Sequence, residues 1–480
     1  MIYEISLALL TDLYELTMAY GYWKLGMADR EAVFTLTYRR RPFQGSFAVS
    51  AGLETATQFI ENFRFKEEDL SYLEGLKTAN GFPLFEKGFL DYLKGFSFDG
   101  DLFAMPEGTP AFPYEPLAFV RGPIIGAQLL ESALLNIINF QTIIATKASR
   151  IVAAAEGDEV VEFGLRRAQG IDGALSATRA AIVGGCRSTS NTLAGKLYDI
   201  PVRGTQAHSW VMAFPTEEEA FKAYSKVLPK NCLYLIDTYN SLRGIQTAIK
   251  IAEENNIDML GVRLDSGDLA KLSIEVRKIL DQKGFKKAKI MASNELDEFI
   301  IRDLKRQGAQ IDLWGVGTSL VTAKDQPALD GVYKLAAIQD EEGKWVYKLK
   351  ISEQLIKTTN PGILQVRRYF DEEGKASIDV MYDLEFGIQE KTEVVDPLDA
   401  TRKRTVQDLN YRDLLIPIFE RGKKVYSSPP LSEIQKNTKR ELETLCPTVR
   451  RFLNPDPYFV GLESKIYDLK MRLIHEIKAR

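Results

Sequence analysis

Residues 233–320 read LYLIDTYNSLRGIQTAIKIAEENNIDMLGVRLDSGDLAKLSIEVRKILDQKGFKKAKIMASNELDEFIIRDLKRQGAQIDLWGVGTSL, and this stretch decides the fold. Four short apolar runs, Leu233–Ile236, Met259–Leu264, Lys289–Ala292 and Ile311–Val316, have strand length. Between them lie amphipathic segments of helical length, SLRGIQTAIKIAEENN (241–256), DLAKLSIEVRKILDQKG (268–284) and LDEFIIRDLKRQGA (296–309). Strand and helix alternate, which requires a parallel sheet with helical crossovers. Upstream, Glu159–Phe163, Ala181–Gly184 and Pro201–Gly204 extend the series to roughly seven βα units at about 20–30-residue spacing. That count suits an α/β barrel, complete or one unit short. A doubly wound open sheet is the alternative, because strand order is not written in the sequence.

Outward from this core the pattern changes. TDLYELTMAYGYWK (11–24) places Leu13, Leu16, Tyr20 and Trp23 on one helical face, with Thr11 or Asp12 available as N-cap. EAVFTLTYRRRPFQGSFAVSAGL (31–53) is β-rich around a Pro42–Gly45 turn and leads into a helix near Leu53–Asn62. DLFAMPEGTPAFPYEPLAFVRGP (101–123) reads as short strands broken by Pro and Gly. The expected organisation is a mixed α+β domain over 1–123, the barrel over 124–330, and a C-terminal region over 331–480 that packs back on the N-terminal domain. In the last region DEEGK (340–344), a second DEEGK (371–375) and ERGKK (420–424) read as hairpin turns, followed by helices near 431–451 and 461–479. The repeated DEEGK is recurring turn chemistry rather than an internal repeat.

Composition narrows the function. The 480 residues contain 45% hydrophobic and 27% charged residues with a net charge of −4, an ordinary globular balance. A dedicated nucleic-acid or anionic-membrane binder would need a basic surplus. Ile124–Val152, the most apolar stretch, is interrupted by Gln128, Glu131, Asn136, Asn139, Gln141 and Lys147, so it reads as a buried helix rather than a membrane span. Three cysteines, Cys186, Cys232 and Cys446, make no disulfide framework and no zinc cluster. The N-terminus lacks the basic region of a signal peptide, so a cytoplasmic location is expected. Only two histidines, His208 and His475, occur, which excludes histidine-rich metal sites and histidine relays.

In a parallel barrel, chemistry gathers where the chain leaves each strand at its C-terminal end. The loops there carry Arg166 and Arg167; Ser188, Thr189, Ser190 and Asn191; Thr205 and His208; Asp237; Arg263, Asp265, Ser266 and Asp268; and Gly315, Gly317 and Thr318. Any one polar loop is explained by helix N-capping, as for at least one of Asp265 and Asp268. Six together suit an anionic, phosphorylated substrate, since arginines and hydroxyl- or Gly-rich helix starts hold phosphate. His208 is suited to acid–base chemistry or to nucleophilic attack on phosphorus. His475, in the terminal helix, reads as a surface or packing residue. In YRRRP (38–42) two of the three arginines read as solvated.

The stretches LLTDLYELTMAYGYW (9–23), FGLRRAQG (163–170), STSN (188–191), GTQAHSW (204–210), LIDTYNS (235–241), GVRLDSGD (261–268) and GVGTSL (315–320) together resemble the nicotinate phosphoribosyltransferase family. The resemblance implies an incomplete α/β barrel joined to an α+β domain, in a homodimer with shared active sites. It implies that nicotinate and 5-phosphoribosyl 1-diphosphate (PRPP) give nicotinate mononucleotide and diphosphate in NAD biosynthesis, coupled to ATP hydrolysis with Mg²⁺, an ATP-dependent ligase activity. On this likeness His208 matches the histidine that ATP phosphorylates. Tyr14, Thr205 and Arg263 match nicotinate-contacting positions, Tyr14 reaching the site of the other subunit. Arg166 matches the arginine near the pyridine carboxylate. Ser190, Asn191, Ser266, Gly315, Gly317 and Thr318 fall in the PRPP and phosphate cradle, and Asp237 and Asp265 are ribose-, diphosphate- or metal-linked carboxylates. Nicotinamide and quinolinate phosphoribosyltransferases are the nearest alternatives. A glycoside hydrolase barrel using Asp265 with Asp237 or Glu162 is a more distant one.

Overall fold

The computed structural model describes residues 6–352 and 358–479. The chain forms two compact units, one comprising Ile144–Pro327 and the other the residues up to Ile143 together with those from Ala328 onward. The first crossing falls inside the long helix Glu131–Ala154 and not at the expected 123/124, because Ile124–Gln128 and the first turns of that helix belong with the N-terminal residues. By length and composition Ile124–Ala154 is apolar enough to cross a membrane, but 67% of its most apolar window is buried in the protein.

The Ile144–Pro327 unit is built on six strands in the order Ser188–Thr189, Glu159–Glu162, Leu313–Val316, Lys289–Ser293, Gly261–Leu264, Leu233–Leu235. All five pairings are parallel. A single parallel bridge from Thr189 to Val202 adds the segment expected as strand Pro201–Gly204. The order runs one way round, and the last strand, Leu313–Val316, lies against the first, Glu159–Glu162. A doubly wound sheet would reverse at its first strand instead. The sheet is a curled half-barrel.

One expected strand is wrong. Ala181–Gly184 lies at the end of helix Ile171–Val183, and the strand is Ser188–Thr189. The run ALSATRAAIV is buried on nearly every side, so it lacks the periodicity that separates a core helix from a core strand. Gly184 ends the helix where a Cβ would stand 2.3 Å from the Ala145 carbonyl oxygen, a contact only glycine permits.

The crossover helices start at side-chain caps. Asn191, Thr216, Asn240, Asp268 and Asp297 each accept a backbone N–H of the helix that follows. Helix Leu269–Gln282 then buries Leu269, Ala270, Ser273, Val276 and Leu280, the stripe its 3.6-residue period brings to one side. Each large apolar side chain so buried contributes about 1.5–3 kcal/mol. At the start of helix Glu298–Arg306, Glu298 is fully buried against Lys147 at 2.7 Å and Arg150 at 2.8 Å. Burial alone would raise its carboxyl, but the two cations hold it below the ordinary range.

In the other unit, N- and C-terminal strands share one seven-stranded sheet: Trp345–Tyr347, Gly331–Gln339, Glu31–Tyr38, Pro116–Pro123, Asp101–Ala104, Ile416–Glu420, Lys423–Lys424. A six-stranded sheet is made of C-terminal strands alone, with Phe459–Glu463 and Ala376–Asp383 at its centre. Both DEEGK segments form the same hairpin turn. Asp340 and Asp371 each accept two backbone N–H groups through Oδ1, and Gly343 and Gly374 take left-handed φ values of 77° and 73°. Two final helices, Leu431–Thr444 and Ser464–Lys478, flank strand Phe459–Glu463, and His475 is exposed.

Candidate active site

Strand Gly261–Leu264 carries Arg263 to the C-terminal edge of the parallel sheet, and its guanidinium is fixed on three sides. Nε donates to Ser293 Oγ at 2.8 Å, Nη1 to Thr205 Oγ1 at 3.1 Å and Nη2 to Asp265 Oδ1 at 2.8 Å. The group stands 5.6 Å from the Phe163 ring centroid, within cation–π range. Phe163 in turn depends on Gly315, where a Cβ would meet its ring at 2.7 Å. Gly315 thus makes room for an aromatic wall.

Asp265 is the hub. Oδ1 takes the Arg263 pair and accepts the Ser293 hydroxyl, while Oδ2 lies 3.5 Å from His208 Nε2. Burial pushes the Asp265 carboxyl up, but Arg263, the Ser293 hydroxyl and His208 outweigh it and hold it below the ordinary carboxylate range. His208 opens the short helix His208–Met212, and its Nδ1 lies 3.1 Å from Thr238 Oγ1. Asp237 Oδ2 accepts the Asp265 N–H and the Ser266 hydroxyl, both at 2.7 Å. Its Oδ1 is buried with no partner among the described residues, as is Oε1 of Glu217. Burial, then the Asp237 charge, pushes Glu217 above its ordinary value.

The expected residues divide. Thr205, His208, Asp237, Arg263, Asp265 and Ser266 form this one connected cluster. Asp268 caps helix Leu269–Gln282 and has the structural role. Asn191 is buried as a cap, its Oδ1 on the Ala194 N–H and its Nδ2 on Thr178, and Ser190 follows strand Ser188–Thr189. Gly317 precedes the short helix Thr318–Val321. Arg166 and Arg167 are exposed in the turn Leu165–Arg167. Tyr14 belongs to the other unit, in helix Leu13–Lys24, half-exposed, its phenol pushed up by burial and by Glu131 and Glu15. In that unit too, Arg40 and Arg41 are exposed, while Arg39 lines a small cleft with Lys334, Thr35, Thr37, Tyr114 and Asn360.

Sequence reasoning missed Phe163, Glu217, Thr238 and Ser293. Thr238 follows Asp237 directly, and Ser293 lies one residue beyond the expected strand end, so a rule that takes every polar residue at a strand end would have found both. Gln206, between Thr205 and His208, is buried with neither amide atom hydrogen-bonded among the described residues. Among the described residues no group of three or more His, Cys, Asp and Glu side chains is arranged for a metal. Glu162 is fully buried and spent on the Gly164 N–H, Thr178 and Thr189, so it is not a carboxylate that a sugar could reach.

A cluster built on one fixed arginine beside an aromatic ring, at the C-terminal edge of a curled parallel sheet, is the arrangement of an α/β enzyme site. Family models for the nicotinate phosphoribosyltransferase N-terminal domain, family and C-terminal domain match residues 9–139, 159–384 and 364–470. The chain is 45% identical to nicotinate phosphoribosyltransferase of Bacillus subtilis, over 99% of this chain and 96% of the relative. It is 40% identical to a nicotinate phosphoribosyltransferase of Mycobacterium tuberculosis, over 98% and 94%. The crystal structure of human nicotinic acid phosphoribosyltransferase superposes with a TM-score of 0.83 at 30% identity, covering 97% of this chain and all (100%) of that one. This chain belongs to the nicotinate phosphoribosyltransferase family.

Proposed function

We propose that the protein transfers the 5-phosphoribosyl group of PRPP to the ring nitrogen of nicotinate, giving nicotinate mononucleotide and diphosphate in the salvage of nicotinate toward NAD. The observation that carries this reading is Arg263, fixed on three sides beside the Phe163 ring, within a chain 45% identical to a nicotinate phosphoribosyltransferase over nearly its whole length. A guanidinium offers only donors, which suits a carboxylate, and the aromatic face suits a pyridine ring.

Bond breaking at C1 of the ribose develops positive charge on the sugar and negative charge on the departing diphosphate. The protein's task is to orient the pyridine nitrogen in line and to stabilise both charges. Asp265, held ionised by Arg263 and Ser293, supplies a carboxylate for the ribose side. Asp237 Oδ1, buried and unpartnered among the described residues, is the oxygen suited to Mg²⁺, which when bound neutralises diphosphate charge. Asp265 suits a metal less well, since its oxygens face Arg263, Ser293 and His208. Ser190, Gly317 and Thr318 follow strand ends of the same sheet and are read as the phosphate side, and Arg166, after strand Glu159–Glu162, as the arginine near the pyridine carboxylate.

In this reading His208 takes a phosphoryl group from ATP, and the phosphorylated ring orders the neighbouring loops so that ATP hydrolysis drives the synthesis. The half-barrel is read as a barrel one position short of closure. The enzyme is read as a cytoplasmic homodimer in which Tyr14 of one subunit serves the site of the other. The test is ATP-dependent consumption of PRPP with nicotinate, nicotinamide, quinolinate or no acceptor. Consumption confined to nicotinate is expected, and no consumption with any acceptor overturns the reading.

A further inference from the structure

We infer that Ser293 is a positioning residue for carboxylate recognition, setting the direction in which Arg263 presents its free N–H groups. The inference rests on the reading of Arg263 as the group that receives the nicotinate carboxylate. Ser293 ends strand Lys289–Ser293 and is buried. Its hydroxyl accepts Arg263 Nε–H at 2.8 Å and donates to the same Asp265 oxygen that accepts Arg263 Nη2–H. Serine, aspartate and guanidinium therefore close a ring of hydrogen bonds along one edge of the arginine.

An arginine side chain carries five N–H donors. Three are committed to Ser293, Thr205 and Asp265, which leaves one on each of Nη1 and Nη2. The two free donors suit the two oxygens of one carboxylate. A carboxamide would turn its own N–H groups toward one of them. Discrimination between acid and amide thus depends on the guanidinium not rotating, and the Ser293 hydroxyl is the only acceptor of Nε–H among the described residues. The backbone supports the same role. Asn294 and Glu295, immediately after Ser293, take left-handed φ values of 89° and 44°, a costly pair for non-glycine residues that turns the chain sharply at this point.

The test uses the full-length enzyme in steady state with Ser293→Ala, Ser293→Thr and Arg263→Gln. Ser293→Ala is expected to raise KM for nicotinate about tenfold, to leave KM for PRPP within about twofold, and to narrow the preference for nicotinate over nicotinamide by about the same tenfold. Ser293→Thr keeps the hydroxyl and is expected to restore both. An unchanged nicotinate KM in Ser293→Ala, or equal rises in both KM values, overturns the inference, as does failure of the threonine variant to restore selectivity while its melting temperature matches the wild type. Arg263→Gln separates the two levels. If it leaves the nicotinate KM unchanged, the reading of Arg263 fails and the role of Ser293 falls with it.

Discussion

His208 Nε2 lies 3.5 Å from Asp265 Oδ2, on the far side of the carboxylate from Arg263. The opposite ring nitrogen, Nδ1, faces the Thr238 hydroxyl at 3.1 Å. An imidazole with one nitrogen on a hydroxyl and the other beside a carboxylate has a defined orientation, which suits a group that takes a phosphoryl group from ATP and passes it to water. His208→Ala is expected to abolish labelling of the enzyme by γ-labelled ATP and the stimulation of transfer by ATP, while slow ATP-independent transfer persists. Undiminished ATP stimulation in this variant would contradict the assignment.

Asp265 and Asp268 stand three residues apart with different roles, and substitution separates them. Asp268→Ala removes a cap and is expected to cost about 1 kcal/mol of stability with kcat/KM unchanged. Asp265→Ala strips Arg263, Ser293 and His208 of their shared partner, and a fall in kcat/KM of about a hundredfold or more is expected. Thermal melts and steady-state kinetics on the two variants check both outcomes. Equal effects on activity would refute the division.

Gly315→Ala is a steric test of the aromatic wall. The new Cβ would press on the Phe163 ring at 2.7 Å and on Met291 Cε at 3.0 Å. Phe163 must swing away from Arg263, so KM for nicotinate is expected to rise about tenfold or more. A variant with unchanged nicotinate KM would show that Phe163 does not line the substrate.

The other unit contains a buried cluster of charged groups. Arg368 and Asp379 are fully buried and paired, Tyr458 donates to Asp379 at 2.8 Å, and Glu115 accepts the Phe112 N–H at 2.8 Å. Burial, and then the Asp379 carboxylate, push Glu115 well above the ordinary carboxyl range. A group whose pKa is raised on folding holds its proton more tightly in the folded state. Its contribution is full below the unfolded value of about 4.3 and is lost as pH rises toward the folded one. Glu115→Gln removes that loss, so its denaturation midpoint relative to wild type is expected to improve steadily from acid to mildly alkaline pH. A difference independent of pH would refute it. Arg368→Met leaves Asp379 buried and unpaired and is expected to cost about 3–5 kcal/mol, read from urea unfolding.

The alternation of apolar runs and amphipathic helices over 159–320 was enough to specify parallel βα units, because the 2.0 and 3.6 periods are local properties of the chain. The polar residues after the strands Leu233–Leu235 and Gly261–Leu264 could be read as site residues for the same reason, since in a parallel sheet every strand end of one sense lies on one edge. Local pattern failed at Ala181–Gly184, where burial on nearly all sides erased the period, and it left open the use of Asn191 and which of Asp265 and Asp268 is the cap, since such side chains are equally suited to capping a helix and to binding a ligand. Only the tertiary structure decided between those uses, because a carboxylate's role depends on what stands across from it. Asp265 faces Arg263, Ser293 and His208, although His208 and Arg263 are 55 positions apart in the chain, whereas Asp268 faces the N–H of Lys271 three residues on. Sequence determines which chemical groups are available at the sheet edge. The pairing of parallel strands, which joins Leu313–Val316 to Glu159–Glu162, determines which of them meet.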